Sequence, residues 1–298
     1  MKARFIFLLL ACLGLGWSPT SMAQSYERQT ILSYNIRHGA GMDNVVDLDR
    51  TAEVINKTTP DVVGLQEVDN IVPRSNKVNQ TQYLAEKCGM YGTFGRAIPL
   101  SGGAYGVAIL SKEKPLSVRN TPLPGQEKRT LLVCEFEDYV FACTHLDLVE
   151  SNRLASVDII LEEAARWDKP FIICGDWNDK PESKLITQLK KSFVILNKTT
   201  GTESYSFPAD KPTSCIDYIA TMGRSVIRTG SRVVAEPAAS DHRPVLVTAL
   251  VKVLDDGIGA PEASSSEEDE VTYDLMGRRT AGTAPGLHIK GGRKLLKR

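Results

Sequence analysis

The sequence predicts an α/β protein in which sheets pack face to face with helices on the outside. Three observations lead there. Eight short runs rich in Val, Ile, Phe and Tyr are bounded by Gly, Pro, Asn or Asp, the pattern of strands. Four stretches between them carry apolar residues at helical spacing. Many strand runs are apolar on both faces, as a sheet covered by a second sheet on one side and helices on the other requires.

The chain has 298 residues and opens with a segment that reads as a secretory signal peptide, residues 1–23. Lys2 and Arg4 give a positive start, "FIFLLLACLGLG" is apolar but too short to span a bilayer, and "SPTSMA" ends in small residues. The alternatives are a lipobox-like "LLAC" with lipid on Cys12, and a retained membrane anchor. Elsewhere no run approaches the roughly 18 apolar residues of a membrane span.

The body, 24–253, then unfolds in order. Strands are expected at 30–36 (TILSYNI), 62–68 (VVGLQEV), 106–112 (GVAILSK), 130–136 (TLLVCEF), 139–146 (YVFACTHL), 170–176 (PFIICGD), 215–221 (CIDYIAT) and 244–253 (PVLVTALVKV). "EFEDYVFA" fits a tight hairpin across Glu137 and Asp138. "DLDRTAEVINKTTP" places Leu48, Ala52 and Ile55 on one helical face and stops at Pro60. "QTQYLAEKCG" ends at Gly89, a C-terminal cap. "SNRLASVDIILEEAARW" lines up Leu154, Val157, Ile160, Leu161 and Ala164, and "PESKLITQLKKS" is a further helix. No repeat of solenoid length is visible.

Charge is uneven although the net is zero. Residues 254–270 hold seven acids and no base, a polar linker, and residues 271–298 hold seven bases and one acid. The body has 27 bases against 28 acids, without the basic excess of a dedicated nucleic-acid binder. Of five cysteines beyond the first 23 residues, Cys134, Cys143 and Cys174 sit inside apolar runs and read as buried small hydrophobes. Their odd count and spacing speak against a disulfide framework or a zinc site.

The chemistry gathers at strand ends. "SYNIRHG" closes an apolar run with Asn35, "GLQEV" places Glu67 late in a strand, and "CTHLD" supplies His145 and Asp147. "CGDWND" supplies Asp176 and Asn178, "CIDYI" buries Asp217 in an apolar strand, and "SDHRP" sets Asp241 and His242 before the last strand. One such event is a turn; six describe a pocket of oxygen ligands and two imidazoles. Carboxylate and amide oxygens suit a hard divalent cation, Mg²⁺ first, with Mn²⁺ and Ca²⁺ sharing the preference. Glu67, with Asp241 or Asn35 beside it, would suffice as protein ligands. His242 is the natural acid–base group, and Asp217 could orient it. Taken singly, each of these residues has a plain structural explanation; the ordered set carries the reading.

In this order, "YNI", "LQEV", "THLD", "GDWND", "IDYI" and "SDHRP" resemble the endonuclease/exonuclease/phosphatase superfamily, over about residues 28–252. The superfamily includes pancreatic-type deoxyribonucleases, abasic-site endonucleases, inositol-polyphosphate 5-phosphatases and bacterial sphingomyelinases. The resemblance implies a four-layer α/β/β/α sandwich of two mostly antiparallel sheets. It implies metal binding by Glu67 with Asn35 beside it, and a histidine–aspartate pair of His242 and Asp217 preceded by Asp241. It implies that Asp176 and Asn178 position the attacking water and steady the phosphate, and that His145 contacts phosphate. Arg74 in "VPRSN" and Arg129 in "EKRTLL" lie where related secreted members often carry arginine, whose fork suits phosphate. The tail "YDLMGRR…GLHI…GGRK" resembles the C-terminal sorting segments of exported Bacteroidetes proteins.

The expectation is therefore a monomeric, exported Mg²⁺-dependent phosphoesterase, secreted, periplasmic or on the cell surface. Short loops after Glu67 and Asn178 and a near-neutral body favour a small or lipid-linked phosphate ester over nucleic acid. A secreted nuclease is the alternative, and an inactive phosphate-binding module is the alternative of another class. His38 and Tyr105 are further candidates for the cleft, while Trp177 is expected to pack.

Overall fold

The computed structural model describes residues 25–223, 225–253 and four short strands beyond residue 270. The expected signal segment 1–23 and the acidic linker 254–270 lie outside the described residues.

Two six-stranded sheets form the body. The first contains β1 (Tyr26–Asn35), β2 (Val62–Asn70), β3 (Tyr91–Leu100), β4 (Gly103–Ser111), β11 (Val226–Val233) and β12 (Val245–Lys252). Their order is β11-β12-β1-β2-β4-β3. The second contains β5 (Ser117–Leu123), β6 (Arg129–Glu135), β7 (Val140–His145), β8 (Phe171–Asp176), β9 (Phe193–Ile195) and β10 (Asp217–Met222), in the order β5-β6-β7-β8-β10-β9. Each sheet is antiparallel except for one central parallel pair, β1 with β2 and β7 with β8. A parallel pair needs a long crossover. Helix α1 (Leu48–Thr58) supplies the first and α3 (Glu150–Ala164) the second.

Local chemistry explains the helices. Asp47 caps α1 by accepting from the Arg50 amide, and Asn79 does the same for Gln82 at the start of α2 (Gln80–Cys88). Gly89 ends α2 in the left-handed conformation at φ 64°. Ser183 caps the short α4 (Lys184–Leu189).

Three apolar layers fill the sandwich. Between the sheets, Ile31, Val62, Val107 and Ile109 meet Leu132, Cys134, Phe141, Cys143, Ile172 and Cys174. Leu48, Ala52 and Ile55 of α1 and Leu84 of α2 pack on the outer face of the first sheet. Val157, Ile160 and Ala164 of α3 and Leu185, Ile186 and Leu189 of α4 cover the second. The result is the expected α/β/β/α sandwich. All five cysteines of the body are free, and Cys134, Cys143 and Cys174 are buried in the core. Gly64 lies where the sheets come closest: a Cβ there would sit 2.1 Å from the Cys174 sulfur.

The chain beyond Leu254 forms a separate unit. Its strands β13 (Thr272–Tyr273), β14 (Arg279–Thr280), β15 (Gly286–Lys290) and β16 (Arg293–Lys297) make one antiparallel sheet, ordered β14-β13-β15-β16. No helix among the described residues is long and apolar enough to cross a membrane.

Candidate active site

The parallel pairs explain why the chemistry meets. Asn35 ends β1, His145 ends β7 and Asp176 ends β8. Strand β10 runs antiparallel to β8, so its first residue, Asp217, falls opposite Asp176. Strand β12 runs antiparallel to β1, so the loop before it brings Asp241 and His242 to the same edge. Carboxyl ends of central parallel strands are the usual ligand edge of such sheets.

Glu67 needs a special device, because a regular strand would alternate it with its neighbours. The β2–β4 register shifts between Leu65 and Val68, a bulge, and Glu67 adopts a left-handed φ of 57°. Asn178 is also left-handed, at 51°. Such conformations cost energy and are held where the surroundings over-determine them. Gly175 is demanded by proximity: a Cβ would lie 2.0 Å from the Thr144 carbonyl oxygen of β7.

The two sheets are tied across the cleft by Asn35. Its Nδ2 donates to Glu67 Oε1 at 3.1 Å and to Asp176 Oδ2 at 3.1 Å, while its Oδ1 accepts from the Arg37 amide at 3.1 Å. In this arrangement Asn35 shows the carboxylates its nitrogen, so it spans them rather than offering an oxygen toward them. Ser240 locks the strand end by donating to the Asn35 carbonyl at 2.7 Å.

His242 Nδ1 lies 2.9 Å from Asp217 Oδ2, and its Nε2 lies 3.5 Å from Asp176 Oδ2. Ser206 Oγ donates to the same Asp217 oxygen, and Asn197 Nδ2 donates to the Asp217 carbonyl at 3.2 Å. The Phe207 ring sits 4.7 Å from the imidazole, centroid to centroid. On the other side, Asn178 Nδ2 donates to the Leu146 carbonyl at 2.9 Å and faces His145 Nε2 at 3.0 Å. The Asn178 amide donates to Asp176 Oδ1 at 2.9 Å.

Electrostatics separate the two histidines. Burial opposes charge on His242, but Asp217 and Asp176 prevail and raise its pKa to about 10. His145 is pushed well below the usual histidine range by burial, by Arg129 and by His242. Asp176 is pushed up to about 7 by burial, with Asp217 adding to it and His242 opposing. Glu67 is raised by burial, and Asp241 adds to this. One imidazole is thus kept cationic and the other neutral, the division of roles that acid–base sites use.

The donor set fits a hard cation. Glu67, Asp176 and Asp241 crowd negative charge at one edge, and two of them hold protons more tightly than ordinary carboxyls. Oxygen donors in that number suit Mg²⁺, Mn²⁺ or Ca²⁺. Ligating atoms of Asp176, Asp217 and His242 also lie within 4.8 Å of one another. The Asp217 oxygen there already takes two donors, so that trio reads as a proton-handling pair beside a third carboxylate.

Of the two arginines, Arg129 is at the site and Arg74 at its border. Arg129 is only 7% exposed; its Nη1 donates to Glu127 Oε1 at 2.8 Å and reaches His145 Nδ1 at 3.4 Å, while its buried Nε has no partner among the described residues. Arg74 forks onto Asp69 at 2.9 and 2.8 Å and lies 5.5 Å over the Tyr105 ring. Its fork is therefore engaged by a carboxylate. Tyr105 is buried and feels both Glu67 and Arg129, which places it in this wall. His38 turns through a left-handed φ of 47°, and its Nδ1 is buried without a partner among the described residues. Trp177 packs, stacked on Tyr218 at 4.8 Å. Asp147 accepts from the Asn152 side chain and the Gln126 amide, a loop-holding role. Sequence reasoning missed Ser206, Asn197, Phe207 and Ser240. Ser240 adjoins "DH" and could have been suspected; the others have no local signal.

The profile of the Endonuclease/Exonuclease/phosphatase family matches residues 32–242. Among solved structures, an endonuclease/exonuclease/phosphatase from Bacteroides vulgatus is 21% identical, with a TM-score of 0.63 over 76% of this chain and 99% of that one. One from Beutenbergia cavernae DSM 12333 is 20% identical, with a TM-score of 0.62 over 76% and 72%. A mannosyl-6-phosphatase of Bacteroides thetaiotaomicron VPI-5482 is 18% identical, with a TM-score of 0.61 over 74% and 99%. No curated protein matches in sequence. With the sandwich, the convergent strand ends and a profile match over most of its length, this chain belongs to the Endonuclease/Exonuclease/phosphatase family.

Proposed function

We propose that the protein is an exported, divalent-metal-dependent phosphoesterase that hydrolyses a small or lipid-linked phosphate ester by in-line attack of water. One observation carries the reading: the amide of Asn35 joins Glu67 and Asp176 at 3.1 Å each, while His242 and His145 both approach the same Asp176 oxygen at 3.5 Å. Acid, amide and imidazole groups from both sheets thus converge on the Asp176 carboxylate.

Glu67 and Asp241 are the residues that would hold Mg²⁺, with Asn35 setting the Glu67 carboxylate. Bound there, the cation supplies charge neutralisation at the phosphate oxygens. Asp176 and Asn178 orient the water. Asp217 fixes the proton at His242 Nδ1 and leaves Nε2 to exchange a proton with the reacting oxygens. Buried His145 presents a donor to a phosphate oxygen, with the Arg129 guanidinium behind it at Nδ1.

The near-neutral body supports a small ester, and the fold shared with a mannosyl-6-phosphatase is consistent with a sugar phosphate monoester. A nuclease is the second reading, favoured by the neighbour that binds single-stranded DNA product, TDP2 of D. rerio, at 18% identity. Export rests on residues 1–23 and would be tested by N-terminal sequencing of the mature protein. The decisive assay is a panel of mannose 6-phosphate, p-nitrophenyl phosphate, bis-(p-nitrophenyl) phosphate, sphingomyelin and supercoiled plasmid, each with EDTA or Mg²⁺. Restoration of ester hydrolysis by Mg²⁺ supports the reading. Efficient plasmid nicking alone moves it to a nuclease, and no turnover of any ester overturns it.

A further inference from the structure

His145 is caught between two groups that can only donate. Arginine has no acceptor atom, so Arg129 Nη1, at 3.4 Å, asks His145 Nδ1 for a lone pair. Asn178 Nδ2 is identified as nitrogen by its bond to the Leu146 carbonyl, and at 3.0 Å it asks Nε2 for a lone pair too. Turning the amide over would set its oxygen against the Leu146 carbonyl. An imidazolium has no lone pair and a neutral imidazole has one, so the ring cannot satisfy both donors. The remaining neighbour is Asp176 Oδ2, 3.5 Å from Nε2, which accepts.

We propose that His145 changes tautomer when a phosphate group enters the site, and that Arg129 is the positioning residue that makes the change favourable. This rests on the reading that the site takes a phosphate ester. In the free site the shorter contact prevails: Nε2 accepts from Asn178, and the proton sits on Nδ1. A phosphate oxygen gives the free Asn178 N–H a better acceptor and offers one to His145 as well. The ring then carries its proton on Nε2, aimed at phosphate, and its Nδ1 lone pair receives the Arg129 N–H. A charge-assisted bond replaces a donor facing a donor. One proton leaves Nδ1 to water and one is taken from water at Nε2, so the ring stays neutral throughout. The burial of His145 beside the Arg129 guanidinium agrees with that neutrality.

The reading also separates the two histidines by their Nδ1 partners. His242 faces a carboxylate there and is built to hold charge; His145 faces a guanidinium and is built to donate without holding charge.

The test is NMR on the full chain labelled with ¹⁵N-histidine. The chain has four histidines, and His145→Gln identifies the His145 signals. Two-bond ¹⁵N–¹H correlations distinguish the tautomers directly. The expected result is the Nδ1–H form in EDTA and the Nε2–H form with Mg²⁺ and saturating inorganic phosphate. Arg129→Met is expected to abolish the change and to raise KM at least tenfold with a smaller effect on kcat. Arg129→Lys, which keeps a donor, is expected to restore part of both. One tautomer in both wild-type states, with phosphate bound, overturns the proposal even if Arg129→Met fails to fold. A normal change in a folded Arg129→Met protein overturns the role of Arg129. Failure to bind phosphate together with failure to hydrolyse any ester overturns the phosphoesterase reading instead.

Discussion

Replacing Asp217 with Asn tests the acid–base reading most directly, because it removes a charge and keeps the shape. Asp217 Oδ2 accepts from His242 Nδ1 at 2.9 Å and from Ser206 Oγ, while its Oδ1 is buried with no partner among the described residues. If the new amide keeps its oxygen toward His242, a charge-assisted bond becomes a neutral one, a difference of about 1–2 kcal/mol, or roughly 5–30-fold in rate. If it turns its nitrogen toward His242, Nδ1 must become the acceptor and Nε2 carries the proton. The wrong tautomer cost about 10⁴-fold in the serine-protease triad. Ser206 can donate or accept, so it blocks neither orientation, and the expected loss in kcat is between about 5- and 10⁴-fold with little change in KM.

The pH profile should move as well. Burial disfavours the His242 imidazolium, and Asp217 is the strongest of the charges that outweigh it to give a pKa of about 10. Without that charge the alkaline limb of kcat should shift toward neutral pH. The assay is p-nitrophenyl phosphate hydrolysis, stopped and read at one pH, from pH 6 to 10.5 in Mg²⁺, with circular dichroism confirming the fold. A loss below about threefold with an unmoved alkaline limb would refute the histidine–aspartate reasoning.

Three other outcomes are expected. Glu67→Gln should raise the Mg²⁺ concentration needed for half-maximal activity at least tenfold, read by titrating Mg²⁺ into EDTA-treated enzyme. Trp177→Ala empties a site 1% exposed and removes the stack on Tyr218, so denaturant titration should show a loss of about 3–5 kcal/mol. The raised pKa of His242 makes a stability contribution that is fully present below about 6.5 and is lost as pH rises through about 10. Urea midpoints of the EDTA-treated protein at pH 7 and 10.5 should therefore diverge, and less so for His242→Gln; equal divergence would show that another group is responsible.

What was legible in the sequence was the middle of each sheet. All eight expected strands are present, and the expected hairpin joins β6 to β7 through Phe136 and Tyr139. The missed strands β3, β5, β9 and β11 are the four edges of the two body sheets. Edge strands face solvent more, so apolar pattern does not mark them: β5 reads SVRNTPL and β11 VIRTGSRV. The helical faces of α1 and α3 were legible because one stripe of each must meet a sheet.

The sequence by itself determined which residue types stand at strand ends, since a carboxylate or imidazole closing an apolar run is visible without coordinates. Only the tertiary structure decided what each one faces. The bulge at Glu67 depends on its register with β4, and the orientation of Asn35 depends on Glu67 and Asp176, the latter 141 residues away. The guanidinium beside His145 comes from the neighbouring strand β6, and the hydroxyl on Asp217 comes from a loop 11 residues before it. Protonation follows from such partners and from burial, and both exist only once distant segments pack.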